Sequence, residues 1–189
     1  MKRLFLFAFT ALSIAYPFLL YFSQEKISAQ TLGLGLCLIL IARAMFFGVR
    51  TYQSWVLIGF GLSLWAWAHF SKSSLPLMWY PFAVNITLLV VFFTSLFRPP
   101  PIVERMARLT QPSGETLPKY AVRYTRKVTE VWCGFFLLNA LISAWTVCQQ
   151  NIKIWTLYNG MVSYLLMGGL FVGEWLYRQH YRKRHEQSV

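Results

Sequence analysis

Residues 77–101 read Leu-Met-Trp-Tyr-Pro-Phe-Ala-Val-Asn-Ile-Thr-Leu-Leu-Val-Val-Phe-Phe-Thr-Ser-Leu-Phe-Arg-Pro-Pro-Pro. The stretch from Leu77 to Phe97 carries no charge, and at about 1.5 Å rise per residue its length matches the roughly 30 Å hydrocarbon core of a bilayer. Pro81 falls in the first turns. Arg98 and three successive prolines end the run, because prolines cannot donate the bonds that a continuing helix needs.

Working outward, five more apolar runs appear: 4–22, 31–47, 55–70, 131–148 and 155–177. Together with 77–97 they predict an all-α polytopic membrane helix bundle, one integral membrane domain with six spans. The first run follows Met1-Lys2-Arg3 and could be read as a signal peptide cleaved after Ala29. It is long for that role and Ile27-Ser28-Ala29 is a weak site, so a retained helix is the better expectation. Glycine pairs at Gly33/Gly35 and Gly59/Gly61, and the set Gly168, Gly169 and Gly173, read as places where another helix approaches closely. Gln149 to Ile154 is too short to recross a membrane, so the last two spans form an antiparallel hairpin.

Charge orients the bundle. The chain has 189 residues, 57% of them hydrophobic, and a formal charge of +12. Fifteen of the eighteen Lys and Arg residues fall on one side of a six-span topology, and only Lys26, Lys72 and Lys153 fall on the other. Cytoplasmic loops collect positive charge, so both termini are expected in the cytoplasm. A basic protein can also bind nucleic acid. Here the charges lie in short gaps between apolar runs, which argues against a nucleic-acid partner. Trp55, Trp79, Trp132 and Trp155 lie near span ends, the usual place of interfacial anchors.

The only substantial polar segment is 98–130. Ile102, Met106 and Leu109 recur at helical spacing, with Glu104, Arg105 and Arg108 opposite, which predicts a short amphipathic helix in the headgroup plane. From Tyr120 a basic, periodic stretch leads into the fifth span, with Arg126 placed to meet Glu130 four residues on. Arg105, Arg108, Arg123, Arg126 and Lys127 are candidate contacts for an anionic headgroup or an acidic cytoplasmic biosynthetic protein, since guanidinium groups match oxyanions bidentately. Ordinary loop charge on the cytoplasmic side explains the same residues nearly as well.

Chemistry is sparsely supplied. There is no Asp, and the six Glu are spread along the chain. Cys37, Cys133 and Cys148 lack metal-ligand spacing, and no metal or cofactor is expected. His69, His180 and His185 form no HxxxH or HExxH pattern, and GxSxG, Walker and dinucleotide motifs are missing. Asn85, Asn139 and Asn159 lie in or near separate spans, where side-chain amides most often bond helix to helix. Glu174 stands four residues before Arg178, the spacing of a surface ion pair. If Glu130 and Glu174 faced each other they could form a proton or ligand site.

Pro-Pro-Ile-Val-Glu-Arg-Met-Ala-Arg-Leu at 100–109, Leu-Pro at 117–118, and Tyr124-Thr125-Arg126-Lys127-Val128-Thr129 followed by Trp132, Phe135, Phe136 and Asn139 resemble a family of small multispanning bacterial inner-membrane proteins. Those proteins go with gene sets for aryl-polyene or related fatty-acyl products. The resemblance implies a role beside synthesis or movement of a lipid-like product, with no catalytic pattern to carry over. The leading expectation is an accessory or transport-linked protein of the bacterial inner membrane that handles or localises an amphipathic acyl or polyene product among the membrane lipids. The alternatives are a membrane enzyme on a lipid-like acyl substrate, with Glu104 or Glu130 as acid–base group, and a structural scaffold for a membrane assembly.

Overall fold

The computed structural model describes residues 17–19, 21–22, 27–47, 52–72, 75–109 and 117–186. Every regular element among them is helical. Helix α1 is Ala29–Phe47 and α2 is Tyr52–Ser71. A 3-10 turn at Leu75–Trp79 leads into α3, Tyr80–Phe97, and α4 is Ile102–Leu109. Helix α5 is Lys119–Cys148, so the basic stretch and the fifth apolar run are one helix. Helix α6, Ile152–Leu157, passes through a π turn at Tyr158–Val162 into α7, Ser163–Glu186. The expected span 4–22 lies mostly outside the described residues, of which 17–19 and 21–22 are helical.

Among the described residues two stretches, Leu75–Phe97 and Lys119–Cys148, are long and apolar enough to cross a membrane. Only 17% and 44% of their most apolar windows is buried, whereas the core helix of a soluble protein hides its apolar face. Along α5 the buried positions Thr125, Thr129, Trp132, Phe136, Asn139, Ser143 and Thr146 alternate steps of four and three, the period of one helix face. Several are polar, and three bond their own helix: the Thr125 hydroxyl donates to the Val122 carbonyl at 2.9 Å, Thr129 to the Thr125 carbonyl at 2.8 Å and Thr146 to Ser143 at 2.7 Å. Val131, Leu137, Leu138, Leu141 and Trp145 point outward. Polar inside and apolar outside suits a surrounding of acyl chains.

The described residues up to Pro81, with Ser143–Val162, form one compact unit. In it α1 packs on α2 at Gly33, where an added Cβ would lie 3.3 Å from Leu77 and 3.4 Å from Trp65. Gly33→Leu is therefore expected to cost about 1–3 kcal/mol through overpacking, read as a lower unfolding midpoint in detergent. Gly59, by contrast, has open space where a Cβ would stand. Trp155 is fully buried and donates through Nε1 to the Met78 carbonyl at 2.8 Å. Asn159, in the π turn, accepts from the Ser143 hydroxyl at 2.6 Å and donates to Thr146 at 3.1 Å and to the Trp155 carbonyl at 3.0 Å.

Phe82–Ile142, with the described residues from Ser163 on, forms the other unit. Asn139 donates to Asn85 at 2.9 Å, bonding α5 to α3, and Phe92, Trp132, Phe136 and Phe171 cluster beside it. At the end of α3 the Ser95 hydroxyl donates to the Phe92 carbonyl and accepts from the Ile102 amide at 3.1 Å. Arg105 donates to the carbonyls of Pro100 at 2.6 Å and Arg98 at 3.0 Å. These bonds close the proline corner and fix α4 to α3.

Three expectations change. Trp132 and Trp155 are buried core residues, not interfacial anchors, because each finds partners inside its own unit. Helix α4 hides Glu104 and exposes Met106 and Leu109, because Arg108 neutralises Glu104 locally. Gly168, Gly169 and Gly173 have open space where a Cβ would stand, so they form no packing seam among the described residues.

Candidate functional site

The polar residues of interest all belong to the second unit, and its helix geometry sorts them. On α5, Arg123, Tyr124, Lys127, Val128, Val131 and Trp132 share one side, and on α7 Leu170, Gly173, Glu174, Tyr177 and Tyr181 recur at three and four. Where these faces meet they line a half-open cleft of about 450 Å³, within the range of small-molecule sites. Gly173 leaves out a side chain on the α7 wall, and no atom stands within 4 Å of where its Cβ would be.

The centre of the cleft is a bond between helices. The Tyr124 hydroxyl donates to Glu174 Oε1 at 2.9 Å and approaches the Glu174 carbonyl oxygen at 3.2 Å. Tyr124 lies in the polar first turns of α5, ahead of the apolar run that begins at Val131. Burial first, then its hydrogen bond to Glu174 and the charge of that group, push its hydroxyl well above the ordinary tyrosine range. Tyr181 stacks on Tyr124 with ring centroids 5.1 Å apart and Tyr177 at 6.0 Å, and Tyr120 reaches Tyr181 at 6.3 Å.

The basic candidates separate. Arg108 makes two bonds to Glu104 Oε1, at 2.9 and 2.6 Å. Arg105 holds the proline corner, and Arg126 lies 3.4 Å from Glu130 in an exposed pair on α5. Arg123 and Lys127 remain: both are exposed, both line the cleft, and neither has an ion-pair partner among the described residues. Of the five cations named from the sequence, the structure brings these two together with Glu174.

Glu104 and Glu130 stand apart from the cleft, each in a pair on its own helix. Glu174 takes its partner from α5, where the sequence offered Arg178. Tyr124, Tyr177 and Tyr181 were not singled out from the sequence as site residues. Their spacing and their register with Arg123 and Lys127 were visible, but tyrosines near a membrane surface have an anchoring explanation that needs no site. Among the described residues no group of three His, Cys, Asp or Glu could hold a metal ion.

The arrangement can receive a molecule with an anionic end and an apolar body. Two uncommitted cations and a tyrosine stack lie at the polar end, and Val131, Trp132 and Leu170 lie along the α5 and α7 runs that enter the apolar spans. No family model matches the chain, and neither the curated proteins nor the solved structures compared with it give a match.

Proposed function

We propose that the protein is a six-span component of a bacterial inner membrane, with both termini in the cytoplasm, that holds or localises an amphipathic, anionic acyl or polyene product without transforming it. The fifteen-to-three division of Lys and Arg supports the orientation. The outward apolar and inward polar faces of α5 support the membrane setting. One observation carries the ligand reading: Arg123 and Lys127, unpaired among the described residues, at the mouth of a cleft whose body is aromatic and aliphatic. An anionic head meets charge-assisted donors there, while its tail stays out of water.

Dodecyl phosphate binding to the purified full-length protein in detergent tests this reading. The Arg123→Gln/Lys127→Gln variant is expected to lose affinity about tenfold, equivalent to about 1.4 kcal/mol. Gly173→Leu should lose a similar amount by filling the cleft, since nothing stands where the side chain would begin. Arg126→Gln, which removes the same charge from α5 away from the cleft, should stay within about twofold. Equal losses in all three would reduce the effect to bulk charge, and unchanged binding in the first two would remove the cleft from the function.

A further inference from the structure

A second cleft lies on the other side of the α5 and α7 contact. It encloses about 420 Å³ between α3, α4, α5 and α7, and shares Tyr124, Val128, Trp132 and Glu174 with the first as walls. Its lining is graded. Leu88 and Phe92 of α3, Phe136 of α5 and Met167 of α7 make its body apolar, while Tyr124, Thr125, Glu174 and Arg178 gather at the end where Val103 and Met106 of α4 close over it. Two polar groups at that end are engaged: Tyr124 donates to Glu174, and Thr125 donates to the Val122 carbonyl at 2.9 Å.

Arg178 is the single cation of this lining and has no ion-pair partner among the described residues. Its guanidinium is close enough to act electrostatically on the Tyr124 hydroxyl. Arg123, Lys127 and Arg178 therefore flank the Tyr124–Glu174 bond from the two clefts, three cations around one carboxyl group. That charge balance fits a carboxylate or phosphate head placed over the bond. From Tyr124 to Phe136 the α5 wall extends roughly 18 Å at the helical rise, room for a chain on the order of a dozen carbons.

We infer that the ligand is a single-chain anionic amphiphile whose head lies over the Tyr124–Glu174 bond and whose tail fills the α3–α4–α5–α7 cleft, so that Leu88, Phe92, Phe136 and Met167 set tail length. This rests on the head contacts of the proposed ligand reading, moves the tail from the first cleft into the second, and adds the class of tail and the residues that select it. Val103 and Met106 close the cleft near its polar end, a use for α4 distinct from lying among headgroups.

Palmitate and octanoate, titrated separately into the full-length protein in nanodiscs of zwitterionic lipid, test it. Wild type should bind palmitate at least about tenfold more tightly than octanoate, because the longer chain buries more methylenes. Met167→Trp, which fills the body of the second cleft, should abolish that preference and leave octanoate affinity within about twofold. Leu88→Trp on α3 should do the same, so that a folding defect in one variant does not decide the result; retained thermal unfolding midpoints identify folded variants. A preserved preference in a folded filled variant overturns the tail assignment. If Arg123→Gln/Lys127→Gln still weakens binding in that case, the proposed function stands without it. If the filled variants lose the preference while the charge variant binds normally, the tail assignment survives and the head reading falls. Dioleoyl phosphatidylglycerol in the nanodiscs separates a bilayer lipid from a free amphiphile: competition with palmitate that is strong in wild type and lost in Met167→Trp would make a two-chain lipid the occupant of the cleft and overturn the inference.

Discussion

Replacing Trp155 with Ala is expected to cost about 3–5 kcal/mol of stability, the range for deleting a fully buried tryptophan. Its side chain is 0% exposed and ties the start of the last hairpin segment to the 3-10 turn through the Met78 carbonyl. Two losses combine in the variant: apolar contacts vanish around a cavity, and a buried carbonyl loses its donor. Trp155→Phe separates them, because it keeps most of the ring volume and removes only the Nε1 proton. That variant should lose about 1–2 kcal/mol, near the net worth of one buried hydrogen bond with its desolvation penalty. Reversible unfolding in mixed micelles measures both. An alanine variant within 1 kcal/mol of wild type would mean that Trp155 is a lipid-facing anchor after all, as its place near a span end first indicates.

A second large effect is expected at Glu104. Its side chain is 4% exposed and that of Arg108 is 49% exposed, so the pair joins a buried carboxylate to a half-solvated guanidinium. Arg108→Met leaves the carboxylate without its charge partner and should cost about 2–4 kcal/mol, below the full range for a buried pair because water screens the arginine. Glu104→Gln/Arg108→Met removes the stranded charge as well and should recover more than half of that loss. The sum of the two single variants would then overshoot the double, the signature of direct coupling. Additive losses would show that the two residues act separately and that Glu104 finds another partner. The same pair bears on chemistry: a carboxyl group held by arginine inside its own helix is poorly placed to exchange protons with a substrate.

Helical class, the interruption at three prolines and the continuity of the basic stretch with the fifth apolar run were legible, because each depends on local periodicity or on missing backbone donors. The asparagines bond across helices as their placement in separate spans predicts: Asn139 meets Asn85, and Asn159 meets Ser143 and Thr146. What a linear reading misses is rotation about the helix axis. Glu104 sits on the charged side of a clean amphipathic pattern, yet it alone is buried while Arg105 and Arg108 on that side stay exposed. Gly173 resembles a packing contact in sequence and is a gap in the structure. Arg123 and Arg126 are three residues apart and equally basic, but one lines a cleft and the other pairs with Glu130. Facing depends on contacts between residues fifty positions apart, such as Tyr124 with Glu174, and no local pattern encodes those.

The bonds at the proline corner have a practical consequence for handling the protein. Ser95 and Arg105 attach α4 to the end of α3 through the chain's own amide and carbonyl groups, none of which needs a headgroup to complete it. Helix α4 is thus a lintel mortised into its doorpost, whatever fills the room below. Extraction into detergent removes the bilayer but not this joint, so the width of the opening measured in a micelle should be the width that operates in the membrane.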